Sequence, residues 1–381
     1  MKLAELDDLM CAALRGEGAV WPAAFGDGLG ELVIERAEYQ GVTALLYEHL
    51  PRLSTWPQRV RDTIRRRAVA ETCWELFHQN ALKEAVTALR TNAIEPIFFK
   101  GTALAYGIYG NPVWRPRGDT DIIVPHRERS HAAEVLISMG FQRNMGVSGE
   151  FVSYQDSYTK KIKDTGRHTI DLHCRINNSE LLAGLLSYEE LRAEARPLPQ
   201  LCEGTLAVGP VHALLLACLH PATHRHNPYI VNGVTYYGGD RLIWHYDVHL
   251  LAQSFTRNQW QDFVDRAAAK GLCAISLEGL ERATACYNTQ CPDFVRQALA
   301  KTGEPVATYL KAGRLRQSWI DFSAIPSFTN RVQFMRELVF PSKGYMRAKY
   351  RQSSATWLPW LYARRAAGGL IKRVRHADQD R

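Results

Sequence analysis

No Cys-x-x-Cys pair occurs in this chain, and its 8 cysteines are scattered at Cys11, Cys73, Cys174, Cys202, Cys218, Cys273, Cys286 and Cys291. That spacing argues against a zinc knuckle or a disulfide framework and suits reduced thiols. No uninterrupted apolar run approaches the ~20 residues that a spanning helix needs. Glu5, Asp7 and Asp8 stand where a signal peptide would carry its apolar core. Internal repeats and low-complexity linkers are also missing. These absences predict a cytoplasmic globular protein with no membrane partner. What is present fits that class: 381 residues at 46% hydrophobic content can build a core for two or three subdomains. The formal charge of +8 and a pI near 9.0 favour polyanionic partners, though weakly.

The densest chemical signal is Gly118-Asp119-Thr120-Asp121-Ile122-Ile123-Val124. Alternation at a period of two turns Asp119 and Asp121 to one face of a strand. Carboxylates held that close resist joint ionisation unless a cation lies between them. Oxygen ligands of this kind suit Mg²⁺ or Mn²⁺. A polar strand end facing solvent is the plain alternative, so the flanking sequence decides.

Upstream, the apolar strand Ile97-Phe98-Phe99 runs into Lys100-Gly101-Thr102 and then a helix from about Ala103 to Tyr109. A strand, a small-residue turn and a helix N-terminus make an anion site. Lys100, Arg115 and Arg117 add positive charge suited to phosphate, and Lys100 has a rival role as the partner of an aspartate. Downstream, 158–163 and 168–175 read as strands joined by a turn at 164–166. Ile170-Asp171-Leu172-His173 sets Ile170 and Leu172 on one face and Asp171 and His173 on the other. Asp171 then completes a carboxylate triad, in preference to facing solvent or pairing with Arg175.

In this order, Lys100-Gly101-Thr102, Arg115 or Arg117, Asp119-x-Asp121 and Ile170-Asp171-Leu172-His173 resemble the nucleotidyltransferase superfamily typified by polymerase beta. The likeness is greatest to the branch known only as an uncharacterised nucleotidyltransferase family. Gly101 and Thr102 match the family's Gly-Ser turn, Asp119 and Asp121 its paired metal ligands, and Asp171 its third carboxylate. The gap from Gly101 to Asp119 is longer than in the simplest members, but it suits this branch. The resemblance implies an α+β fold, with a polymerase-beta-like core of mixed sheet and flanking helices. It also implies transfer of a nucleoside monophosphate from an NTP with loss of pyrophosphate. Asp119, Asp121 and Asp171 would hold Mg²⁺ or Mn²⁺, and Lys100, Gly101, Thr102, Arg115 and Arg117 would serve the nucleotide. The favoured acceptor is a hydroxyl (or phosphate) on a small molecule or peptide natural product. An RNA-modifying, toxin-like enzyme and a non-catalytic nucleotide- or RNA-binding module are the alternatives, and a metal-dependent phosphoesterase using His173 is a third.

The expected organisation is an N-terminal helical region over 1–92, an α/β core over 93–209, and a mainly helical region with a basic tail over 210–381. Within the core, strands are expected at 95–99, 119–124, within 140–175 and near Leu206, with helices at 101–109, 127–139 and 187–195. Trp74, Leu76, Phe77, Ala81 and Leu82 suggest an apolar helix face. Arg65, Arg66 and Arg67 fan around the same helix and should be solvated. The helix over 214–226 carries His220 and His224 four apart, as zinc proteases do. Pro221 stands where such a site needs glutamate, so these are structural histidines, or His224 and Arg225 bind nucleotide. This helix and the Arg241-Leu242-x-Trp244-x-x-Asp247 stretch resemble the same branch, as do Phe340-Pro341-Ser342 and Tyr345-Met346-Arg347. Asp240 reads as a helix N-cap after Gly238-Gly239. Asp247 pairs with Arg241 or a histidine, or faces the acceptor. From Lys343 through Arg347, Lys349, Arg351, Arg364, Arg365, Lys372, Arg373 and Arg375, basic residues interleave with Tyr345, Tyr350, Trp357, Trp360 and Tyr362. That mixture suits a packed terminal helix, single-stranded nucleic acid or an anionic membrane surface.

Overall fold

Ile97, Phe98 and Phe99 have no polar residue between them, so a strand built from them must be covered on both faces. All three are buried in the computed structural model, which describes residues 3–23, 28–146, 151–162, 166–225, 229–231, 233–236, 239–300, 304–350 and 357–365. The expected turn at Asp164 and Thr165, the helix end at His226, Gly238, and Arg351, Lys372, Arg373 and Arg375 lie outside those residues.

Four helices come first: α1 (Leu3–Leu14), α2 (Leu29–Gln40), α3 (Thr43–His49) and the 34-residue α4 (Gln58–Thr91). The α/β part follows as β1 (Ile97–Phe99), α5 (Lys100–Gly107), β2 (Thr120–Ile123), α6 (Arg129–Ser138), β3 (Gln142–Arg143), β4 (Gln155–Ile162) and β5 (Gly166–His173). It ends with α7 (Glu180–Ala183), α8 (Tyr188–Ala193), β6 (Arg196–Pro197) and β7 (Leu206–Ala207). Beyond it run α9 (Pro210–His224), the hairpin β8 (Tyr229–Val231) and β9 (Val234–Tyr236), α10 (Leu242–Gln253), α11 (Arg257–Lys270), α12 (Cys273–Tyr287) and α13 (Asp293–Leu299). Last come α14 (Pro305–Lys311), α15 (Arg314–Ala324), α16 (Phe328–Val339) and α17 (Lys343–Tyr350). No helix among the described residues is long and apolar enough to cross a membrane.

Seven strands form one mixed sheet in the order β3-β4-β5-β2-β1-β7-β6. β2 runs parallel to β5 and antiparallel to β1. The architecture is therefore mixed α+β. Period-two alternation divides the strand residues between two cores. Phe98, Ile122, Ile170 and Leu172 pack with Leu82, Val86 and Leu89 of α4 and Leu136 of α6. Ile97, Phe99 and Ile123 belong to the larger core, shared with α1–α3 and α9–α13. Each fully buried side chain of this size contributes roughly 1.5–3 kcal/mol, so the covered sheet is a firm platform for whatever its rim carries.

The apolar face expected on α4 is buried only at Ala81 and Leu82, with Trp74 half-buried. Leu76 and Phe77 are exposed, whereas Glu75 and His78 are buried beside Ala81 and Leu82. Hydrophobicity alone misassigned the face because Glu75 and His78 enter a polar network under the sheet. Arg65, Arg66 and Arg67 do face solvent, and Arg65 pairs with Asp62 one turn away. All eight cysteines are free thiols.

Candidate active site

Register brings the key residues together. Phe99 of β1 lies opposite Asp121 of β2, Asp121 opposite Asp171 of β5, and Asp171 opposite Ser157 of β4. One row across four strands thus carries two carboxylates side by side, on the face opposite Ile122 and Leu172. His173 follows on the same face of β5, its Nε2 2.9 Å from Asp121 Oδ1. Ligand atoms of Asp121, Asp171 and His173 all lie within 4.8 Å of one another. Asp119 precedes β2 and is the solvent-exposed member at the rim.

Lys100 opens α5 with φ +55°, a left-handed conformation that a residue with a Cβ adopts at some cost. Its ammonium donates to Asp121 Oδ1 at 2.7 Å. The pairing read as its rival role is thus the one the structure holds. Burial works against the charge on Lys100, but Asp121, backed by Asp119 and Asp171, keeps its pKa above the ordinary value.

The three carboxyls differ. Burial pushes Asp171 up to about 7, helped by the charges of Asp119 and Asp121. Asp119 is raised as well, by desolvation among its neighbours and then by Asp121, even though its side chain opens to solvent. Asp121 goes the other way. Burial would raise it, but Lys100 and the His173 hydrogen bond outweigh that and hold it well below the carboxylate range. Burial, helped by Lys100, lowers the pKa of His173 despite its hydrogen bond with Asp121. Once all three carboxyls are ionised, one ammonium leaves two negative charges, the deficit that a divalent cation fills. Lys100 and His173 both use Oδ1 of Asp121, and Ser157 donates to Oδ1 of Asp171 at 2.5 Å. Oδ2 of each carboxylate accepts no hydrogen bond among the described residues. Unused hard oxygens beside uncompensated charge fit Mg²⁺ or Mn²⁺.

The phosphate-type residues divide. A Cβ added to Gly101 would meet Arg117 Cδ at 3.6 Å and Arg115 Cζ at 3.9 Å, ordinary contacts that place the two arginines beside the turn. Thr102 is buried, and its hydroxyl accepts from Arg117 Nε at 2.9 Å and bonds Thr120 Oγ1 at 2.8 Å. Arg117 also donates to Glu75 at 2.7 Å, and Tyr106 donates to the same carboxylate. Thr120 continues to His78 Nε2 at 2.7 Å, and His78 to His168 at 3.2 Å. Arg115 is buried and gives Nε and Nη2 to Asp247 of α10, whose Oδ1 also accepts from Tyr109. Arg115 and Arg117 therefore brace the turn and the strand entry, leaving Lys100 as the cation paired with the carboxylates.

Sequence reasoning missed Glu75 and His78, polar residues in a helix whose apolar neighbours drew the eye. Asp240 is not an N-cap. Arg241 occupies that position without a side-chain cap, and Asp240 instead lies 2.7 Å from His245 Nε2. A dipole-facing carboxylate gave way to a histidine one turn into the helix. His220 packs edge-on against His224 and Trp244, within the field of Lys100 and Asp121, while Arg225 turns away to Glu278. No curated protein matches the chain. Residues 30–288 match the family described as uncharacterised nucleotidyltransferase, and the chain belongs to that family.

Proposed function

We propose that the chain is a metal-dependent nucleotidyltransferase with a polymerase-beta-like core. It would move an NMP from an NTP to a hydroxyl (or phosphate) acceptor on a small molecule or peptide. The observation that carries this reading is the Asp121–Asp171 pairing in register on parallel strands, beside Lys100. Asp119, Asp121 and Asp171 hold Mg²⁺ or Mn²⁺; when bound, such ions neutralise phosphate charge and acidify an acceptor hydroxyl. In this reading Gly101 and Thr102 offer the triphosphate their backbone N–H groups at the start of α5. Lys100 stands by to bind departing pyrophosphate. Arg117 and Arg115 keep the turn and Asp119 in place. The acceptor oxygen attacks the α-phosphorus, its proton passes to Asp171, and the bond to pyrophosphate breaks. The regions 1–92, 93–209 and 210–381 are the units we assign, with the acceptor between the last two.

His173 supports a second reading. Its place in the 4.8 Å group would suit a metal-dependent phosphoesterase. Incubation with each α-labelled NTP and Mg²⁺ or Mn²⁺, followed by label in protein, RNA and metabolite pools, separates the two. Transfer of labelled NMP with release of pyrophosphate supports the transferase. Release of free NMP or phosphate alone supports the esterase, and nucleotide binding without turnover supports a binding module.

A further inference from the structure

α16 carries an apolar stripe on its exposed side. Phe328, Val332, Met335 and Val339 recur at helical spacing and are 80%, 53%, 42% and 46% exposed. The half-covered side mixes Phe334, packed near Phe322, and Leu338 with polar residues such as Glu337, which accepts from the Phe151 backbone N–H. No residue of α16 is buried. Leu315 and Trp319 of α15, Phe340, Trp357 and Trp360 are also exposed. A stripe of this kind in water is an unmet interface.

The charges around it have one sign. Among the described residues from 305 to 365, the exposed charged side chains are Lys311, Arg316, Arg336, Lys343, Lys349 and Arg364. The two acids of that stretch are occupied elsewhere. Asp321 accepts from Ser179 and Tyr309, and Glu337 from Phe151 and Gln333. An occupant must therefore be both apolar and anionic. A second copy of the chain would bring like charge against like. Nucleic acid would match the charge and stack on tryptophan, but it offers nothing to Leu315, Val332, Met335 and Val339. An anionic bilayer surface offers acyl chains to the aliphatic stripe, an interface to tryptophan, and lipid phosphates to the cations.

We propose that α16, with the exposed apolar and basic residues of α15 and of 340–350 and 357–364, docks the protein on an anionic membrane surface without spanning it. The surface lies beyond the family-matched residues 30–288, so it adds location to the chain independently of the chemistry at Asp121. The sequence-based expectation against a membrane partner rested on missing spans, whereas an anionic membrane surface was among the readings of the basic, aromatic tail.

The test is co-sedimentation of the full chain with vesicles of phosphatidylcholine alone or mixed with phosphatidylglycerol, at low and high salt. The proposal expects binding to the phosphatidylglycerol vesicles that falls with salt. Phe328→Glu with Val332→Glu should weaken it about tenfold or more, and those positions already face water, so folding should be intact by circular dichroism. A blue shift of tryptophan emission with vesicles should accompany binding. Three results would overturn the proposal: no binding to either vesicle, binding that the double variant leaves unchanged, or a stripe-dependent change of mass without lipid, which marks a protein interface. Stripe-independent retention of RNA with no vesicle binding would overturn it too.

Discussion

Arg115 and Asp247 meet through two parallel hydrogen bonds, Nε to Oδ1 and Nη2 to Oδ2, each 2.8 Å long across 132 residues of chain. Both side chains are buried, and the Tyr109 hydroxyl completes the carboxylate's shell. The loop that delivers Asp119 is thereby fastened to α10.

Breaking that pair strands a buried charge. Asp247→Ala should cost about 3–5 kcal/mol in urea unfolding. Replacing both partners, Arg115→Met with Asp247→Leu, should restore most of it. If the single variant loses under about 1 kcal/mol, the pair is not the clasp described.

Gly101→Ala separates binding from folding. The added methyl meets only ordinary contacts and sits in the first turn of α5, so stability should stay within about 1 kcal/mol. NTP affinity should fall tenfold or more, read by fluorescence titration. Unchanged affinity would place the triphosphate elsewhere.

The raised carboxyl sets a pH signature in metal-free protein. Asp171 keeps its proton to about 7 when folded, against an ordinary value of 3.8. The folded chain thus binds more protons across that window, and stability must fall as pH rises through it. Asp121, held low, acts below 3.8 and leaves the window alone. Asp171→Asn should flatten the fall and add on the order of 2 kcal/mol at pH 8. Mn²⁺ should raise Tm more at pH 8 than at pH 5.5, since protons compete for the same oxygens. A metal effect independent of pH, or a steeper fall in the variant, would contradict this.

Beneath the sheet, burial holds His78 well below its usual 6.5, so it stays neutral when folded. The unfolded chain takes up the proton first, and stability drops as pH falls below 6.5. Thr120→Val removes the hydroxyl partner of both His78 and Thr102 and should cost about 1–3 kcal/mol. Thermal melts across pH 5 to 7 check both effects.

The closeness of Asp121, Asp171 and His173 was legible because strands impose a period of two and these residues obey it inside short apolar runs; Asp119, expected as the third carboxylate, precedes β2 and stands outside that group. The elements of 95–207 fall within a few residues of their expected bounds for the same reason. What sequence could not give was pairing at long range. Nothing local tells Asp247 that Arg115 lies 132 residues back, or tells Arg117 that Glu75 and Thr102 will take its donors. On α4, Leu76 and Phe77 looked like core, yet the sheet's underside required Glu75 and His78. Hydrophobic periodicity identifies which residues are apolar, whereas the neighbour decides which face is wanted.

The central claim is that Asp121 and Asp171 jointly hold a divalent ion on an NTP. Electron paramagnetic resonance titration of Mn²⁺, with and without NTP, reads that directly and needs no acceptor. The account predicts saturable binding that tightens with NTP and is lost in Asp121→Asn and in Asp171→Asn, both still folded. Equal Mn²⁺ binding in wild type and both variants, with or without nucleotide, would contradict it.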